Sequence, residues 1–313
     1  MVAFALKSMP NHVRPIEERR LTGIALMLAG YFCFTVIDSC AKWLTLAGLP
    51  TGEVVFVRYA GQLLLVVALF APTRRGELVR TQRPWHEVAR GLCLLGSTAA
   101  NFVAIKFLPL TVTSSISFTM PLILCALSIP MLGEQVGWRR WLAILVGFIG
   151  VLVIVHPGTA AFHPAILVSL VAAVFTAFYL LLTRKLAGVD SVTTQQFYSG
   201  LVATICVAGF AIGGWTWPSE AAGWICFVLI GAAALIGHQF ITTAHRFAPA
   251  SVLAPFGYLQ IIFMTASSWL IFQQPPDLWI FVGAPIVIGS GLYIWLRERQ
   301  LAKAVVTAVA VED

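Results

Sequence analysis

Long apolar runs alternate with short polar breaks along most of this chain, and within each run polarity does not alternate residue by residue. Each run is close to the ~20 residues that a helix needs to cross a hydrocarbon core of about 30 Å. The pattern predicts helices over about 21–47, 52–71, 87–106, 110–131, 138–155, 164–183, 192–213, 222–244, 250–272 and 277–296. Gly48 and Pro50 stop the first, a basic loop with Arg74, Arg75, Arg80 and Arg83 follows the second, and His156-Pro157-Gly158 closes the fifth. Arg184-Lys185 ends the sixth, and Trp215 and Trp217 follow the seventh as interface anchors.

The pattern repeats. Lys106-Phe107-Leu108-Pro109, an apolar span, the polar break Gly133-Glu134 and a further span return 140 positions later as Arg246-Phe247-Ala248-Pro249, a span, the break Gln273-Gln274 and a last span. Such order points to an internal duplication. The expected organisation is a tail over 1–20, a first five-helix repeat over 21–157, a second over 163–298 and a tail over 299–313. Five is odd, so the second repeat enters the membrane from the opposite face. The expected fold is an all-α membrane protein with ten transmembrane helices in two inverted five-helix repeats. Inverted repeats place a substrate site between them near the bilayer midplane.

Composition agrees. Hydrophobic residues make up 59% of the 313 residues and charged ones 11%, with mean hydropathy +0.89. A soluble domain carries about 25% charged residues. Backbone polar groups in lipid must be satisfied internally, so continuous apolar runs are helices and not barrel strands. The net charge of +7 is a topology signal, not a nucleic-acid footprint. With the N-terminus inside, 17 of the 20 Lys and Arg fall on the cytoplasmic side, leaving Lys42, Arg58 and Lys106. Both termini are expected in the cytoplasm, in the cytoplasmic (inner) membrane, with the lipid bilayer as partner and no nucleic acid. The six cysteines sit inside apolar runs without metal-ligand spacing. No cofactor or metal is expected.

Ionisable residues at membrane depth are costly, so those present face a partner or a cavity. Asp38 on the first helix and Arg58 on the second both fall in the outer half. Asp38 and Lys42 share one helix face at i,i+4. Asp38 therefore pairs with Lys42 or with Arg58, either as a charged gate and substrate anchor or as a structural ion pair. The repeat offset sets Asp38 against Tyr179, Arg58 against Phe197 and Thr98 against His238, which predicts a charged outer end and an aromatic inner end. His238 suits proton coupling or an interhelical hydrogen bond. Tyr198, Gln239, Asn101, Tyr258 and Gln260 complete the candidate cavity set. Glu53 reads as a carboxylate at a helix N-terminus, and Glu134 as a loop or helix-start carboxylate. Pro109, Pro121, Pro130, Pro249, Pro255 and Pro285 are candidate kinks or helix starts.

Several of these stretches carry a resemblance. Asp38-Ser39-Cys40-Ala41-Lys42-Trp43-Leu44, Val57-Arg58-Tyr59, Leu132-Gly133-Glu134, Trp138-Arg139-Arg140-Trp141 and Gly147-Phe148-Ile149-Gly150-Val151 leading to Pro157 resemble the EamA-type branch of the drug/metabolite transporter superfamily. The resemblance spans about residues 20–298 and implies ten helices, a central cavity and movement of small organic solutes. Gln273-Gln274-Pro275 departs from it where a Gly-Glu pair is usual.

No phosphate loop, zinc-binding His pair or nucleophile elbow appears, so an enzyme is not expected and transport is secondary. The expected function is alternating-access transport of a small-molecule substrate. It is either uptake of an aromatic or cationic vitamin-like or nucleoside-like metabolite or export of amino acids or drugs. A non-transporting membrane scaffold or membrane-bound enzyme is the remote alternative. Coupling to a proton or another ion, and monomer or homodimer, stay open.

Overall fold

A computed structural model describes residues 20–120, 122–124, 126–127, 138–155, 162–186, 189–212, 215–248 and 253–312. Ten α-helices are described: α1 (Arg20–Leu46), α2 (Thr51–Val79), α3 (Pro84–Phe107), α4 (Leu110–Ser117), α5 (Trp138–Val155), α6 (Ala165–Leu186), α7 (Val192–Ile212), α8 (Ala221–Phe247), α9 (Gln260–Leu270) and α10 (Leu278–Glu312). Six of the helices carry segments long and apolar enough to cross a membrane: α1, α2, α3, α6, α8 and α10.

Helix boundaries depart from the expectation where polar residues are held by tertiary contacts. The α2 helix runs past Pro72, through Arg74 and Arg75, to Val79. Two α7 side chains stabilise that extension by satisfying carbonyls that a helix end leaves orphaned. Thr194 Oγ1 donates to the Glu77 carbonyl at 2.7 Å, and the Tyr198 hydroxyl donates to the Val79 carbonyl at 3.0 Å. At the other terminus the expected tail 299–313 continues α10 as helix to Glu312. Residues 1–19, Pro121, Pro130, Glu134, His156-Pro157-Gly158 and Pro249 lie outside the described residues.

The fourth and ninth spans are not continuous helices. The α4 helix stops at Ser117, turns through Phe118-Thr119 and is helical again at Met120. The Thr119 carbonyl accepts from the Leu122 and Ile123 amides, which restarts the helix. The ninth span opens as a 3-10 segment, Ala254–Leu259, with a proline near its start, and becomes α-helical only at Gln260. Proline removes a donor and favours such a start.

Packing follows the repeat. The α1 helix lies along α8, and its repeat partner α6 lies along α3; α2 with α7, α4 with α9 and α5 with α10 each pack against their own counterparts. A two-fold axis in the membrane plane produces this arrangement. Small residues allow the close approach. A Cβ on Gly237 of α8 would meet the Phe34 ring of α1 at 3.0 Å, and a Cβ on Gly96 of α3 would meet the Phe175 ring of α6 at 3.0 Å. Phe34 to Phe175 and Gly96 to Gly237 are the same 141-residue step. One close contact thus occurs twice. It sets Ser97, not Thr98, opposite His238, one residue from the expected pairing.

Loops group into two ends. At one, Asp190 between α6 and α7 accepts from Thr81 Oγ1 at 2.6 Å and from the Gln82 amide at 3.2 Å, between α2 and α3. At the other, Glu53 Oε2 at the start of α2 accepts from the Thr216 amide at 2.9 Å and hydroxyl at 3.0 Å, between α7 and α8. Links of opposite parity from the two halves share an end, as inverted threading requires. Large apolar side chains such as Leu64, Val228 and Leu270 are exposed on the flanks, the surface that acyl chains cover.

Candidate functional site

Asp38, a little over two turns from the end of α1, is half-buried. Its Oδ1 accepts from Asn101 Nδ2 of α3 at 2.9 Å. Neither expected ion pair forms. Lys42 and Arg58 are both engaged elsewhere. Arg58 is 5% exposed and lies over the ring of Tyr59, 4.2 Å from its centroid. Its Nη1 has no hydrogen-bond partner. Tyr59 is held by its hydroxyl, which meets the Leu94 carbonyl at 3.0 Å and Thr98 Oγ1 at 2.8 Å. Asp38, Tyr59 and His238 are all within electrostatic reach of Arg58. The α1, α2, α3 and α8 helices thus bring an anion and a cation into one region without neutralising each other.

Aromatic walls surround these groups. The His238 ring meets Phe34 at 5.1 Å, and Phe34 meets Tyr31 at 6.2 Å, both edge to face. Serine and threonine hydroxyls join helices on either side: Ser39 to Ser267 at 2.6 Å, and Ser97 to Thr176 at 2.6 Å. Tyr31, Phe34, Asp38, Asn101, Thr176 and His238 are half-buried.

Lys42 closes one end of this region. It is 1% exposed, and its ammonium donates to the Leu108 carbonyl at 2.6 Å and to Gln274 Oε1 at 2.7 Å. The first acceptor lies between α3 and α4, the second between α9 and α10. A single buried cation therefore ties α1 to two links, and the ring of Phe272 lies 5.2 Å from the nitrogen. At this end α1 packs on α3; their repeat counterparts, α6 and α8, form no comparable interface among the described residues.

Sequence reasoning missed the opposite end. Arg90 counted there only as a topology residue, yet it is 2% exposed and Glu87 is fully buried. Arg90 Nε donates to Glu87 Oε2 at 3.1 Å, and Nη2 donates to Ser199 Oγ at 2.8 Å and to the Gln195 carbonyl. The guanidinium lies 5.2 Å from the Tyr179 ring centroid. The expected purely aromatic end is therefore charged as well. The i,i+3 spacing of Glu87 and Arg90 at the start of an apolar run was the available signal.

Of the remaining candidates, Tyr179 joins the Arg90 cluster, whereas Tyr198 caps α2 and stays away from Asp38. Tyr258 meets Phe118 edge to face. Gln239 and Gln260 are half-buried without a side-chain hydrogen bond among the described residues. Glu53 lies in the first turn of α2, the place expected of it, and its carboxylate goes to Thr216 of the α7–α8 link. No cluster of three metal-ligating side chains occurs among the described residues.

Comparison with known proteins accounts for these features together. The profile of the EamA-like transporter family matches residues 21–156 and again residues 163–296. An S-adenosylmethionine uptake transporter of Rickettsia prowazekii (strain Madrid E) is 29% identical over 280 residues, covering 90% of this chain and 94% of the relative. A riboflavin transporter of Vibrio cholerae is 28% identical, covering 92% and 99%, and a pseudopaline exporter of Pseudomonas aeruginosa is 26% identical, covering 85% and 93%. A solved crystal structure shares the fold with TM-score 0.60 at 16% identity, over 88% of this chain and 98% of that one. The twice-matched profile, the paired helices and the apolar flanks agree: the chain is an integral membrane protein of two repeats and belongs to the EamA-like transporter family.

Proposed function

We propose that this chain is a secondary carrier that moves a small organic metabolite across the cytoplasmic membrane by alternating access between its two halves. The repeats are taken to span 21–157 and 163–298, with both termini cytoplasmic and the Lys42 end outside. The basic residues of the loops support that orientation.

The observation that carries the reading is a pair of opposite charges at membrane depth that do not neutralise each other. Asp38 is held by the neutral Asn101, and Arg58 keeps an unpartnered nitrogen. On insertion scales such a group costs roughly 2.5–3.5 kcal/mol in lipid, so selection retains it for a task. A substrate with a cationic and an anionic group satisfies both, and a ring system stacks beside Phe34 and His238. Tyr179 and the Arg90 cluster supply the next contacts toward the cytoplasm.

The names of the relatives support a charged or polycyclic metabolite: S-adenosylmethionine, riboflavin and pseudopaline. Uptake of an aromatic or cationic metabolite of this kind is the favoured direction. The unequal packing of α1 on α3 and of α6 near α8 fits a state closed outside and open inside. Proteoliposomes loaded on either side with labelled S-adenosylmethionine or riboflavin, with and without a proton gradient, test direction and coupling. Absence of flux for a full panel of charged aromatic solutes sinks the carrier reading.

A further inference from the structure

At the Lys42 end, above the ammonium, lies a cavity of about 510 Å³ that belongs to neither charged cluster. Its walls include Trp43 at the end of α1, Trp217 in the α7–α8 link and Phe272 after α9, with Thr216 and Glu220 at its rim. Trp217 stacks one face on Trp224, with centroids 5.4 Å apart and planes 18° from parallel, and remains 64% exposed. Trp215 meets its edge at 5.3 Å. The indole is thus fixed in place while still reachable from the cavity.

The electrostatics are one-sided. Glu220 precedes α8, yet its carboxylate caps no amide. Behind Thr216 sits a second carboxylate, Glu53, whose Oε1 is buried without a partner. Lys42 has its ammonium spent on the Leu108 carbonyl and Gln274, with Phe272 shared between it and the cavity, and no Lys or Arg is among the residues lining the cavity. Indole faces attract cations through their ring quadrupole, more strongly when water is excluded. A carboxylate at the rim adds a charge-assisted partner.

We infer that this pocket is a separate binding site for a planar organic cation, held between Trp43, Trp217 and Phe272 with its charge toward Glu220. On the carrier reading, on which this second role rests, it is the first contact of a cationic substrate before the Lys42 closure releases. Phe272 links the two, because it forms the cavity wall and faces the Lys42 ammonium.

The test uses the full chain in lipid nanodiscs and labelled N-methylquinolinium, a planar cation, with uncharged quinoline as competitor. Saturable binding that quinoline does not displace is expected. Trp217→Leu and Glu220→Gln, both at exposed positions, should each weaken it about tenfold, the scale of one cation–π contact or one charge pair. No saturable binding, or binding untouched by the two pocket variants, overturns the site. Flux in proteoliposomes separates the two roles. A raised KM with unchanged kcat in Glu220→Gln supports the first-contact role, and an unchanged KM removes it. Binding in a chain with no flux of any solute upholds the site and overturns the carrier reading alone.

Discussion

Phe118 and Tyr258 meet edge to face, with ring centroids 5.2 Å apart and planes at 68°. Phe118 lies where α4 breaks, and Tyr258 lies in the 3-10 segment that precedes α9. They are one repeat step of 140 residues apart, so the contact straddles the two-fold relation between the halves. Broken helices at such an axis are where inverted-repeat transporters bind and move their cargo. Tyr258 is further confined by α10, because a Cβ on Gly291 would come within 2.0 Å of its hydroxyl.

Gly291→Ala should therefore displace the Tyr258 ring and cut flux several-fold while the protein still folds. Removing the hydroxyl relieves the clash, so Gly291→Ala with Tyr258→Phe should regain most of the lost rate. Proteoliposome flux and melting in detergent, measured on both variants, check this. A double variant no better than the single one breaks the proposed link.

Asp38→Asn should lower kcat/KM at least tenfold, and Asn101→Ala by a smaller factor. Hydrogen bonds to a charged group are worth about 1.5–3 kcal/mol, and Asn101 acts only by orienting the carboxylate. Equal loss in both variants, or none in either, contradicts the assignment of Asp38 as the substrate anchor.

Lys42→Met should loosen the closure at that end, because both acceptors lose their donor while the methionine still fills the space. Cys40, two residues before Lys42 on α1 and 6% exposed, reports the change. With the other five cysteines replaced, a membrane-impermeant maleimide should label Cys40 several-fold faster in Lys42→Met. Unchanged labelling shows that packing of α1 on α3 holds the end shut without the lysine.

Arg90→Met should destabilise the protein by about 3–5 kcal/mol, the cost of leaving a buried charge without its partner. Adding Glu87→Gln removes that stranded charge and should recover much of the loss. Unfolding curves of the two variants in the same detergent decide it.

Gly231→Ala should cost about 1–3 kcal/mol, the range for overpacking, since its Cβ would meet the backbone of Gly61 at 2.9 Å. Gly209→Ala, whose Cβ meets open space, should be neutral or stabilising by up to about 1 kcal/mol. Melting temperatures that fall equally in both would show that glycine in these helices serves flexibility and not close approach.

The fold was legible because lipid imposes one local rule on every span: continuous apolar runs must close their hydrogen bonds internally. The duplication was legible because Phe-x-Pro starts and polar breaks recur in order. The charged site was half legible. Asp38, Lys42, Arg58 and Asn101 stood out as polar residues at depth, but the partner of each depends on helix rotation and neighbours far away in sequence. Lys42 turns to a carbonyl at residue 108 and an amide at 274, acceptors that no i,i+4 argument contains. Arg90 was hidden because a basic residue near a helix start looks like a membrane-surface residue until its burial is known. Tyr198 misled for the opposite reason. It lies at an apparent depth within its own span, yet α2 runs on past its apolar part and takes the hydroxyl as a cap.

The lysine closure has no twin. The 141-residue step carries Lys42 to Thr183, whose hydroxyl only bonds back to its own helix at the Tyr179 carbonyl. One threshold of the passage is bolted by an ammonium, while at the matching point of the other half a threonine merely turns back on its own helix. On the proposed cycle, an empty protein built this way rests shut on the bolted side and opens there only when the ammonium lets go of both links.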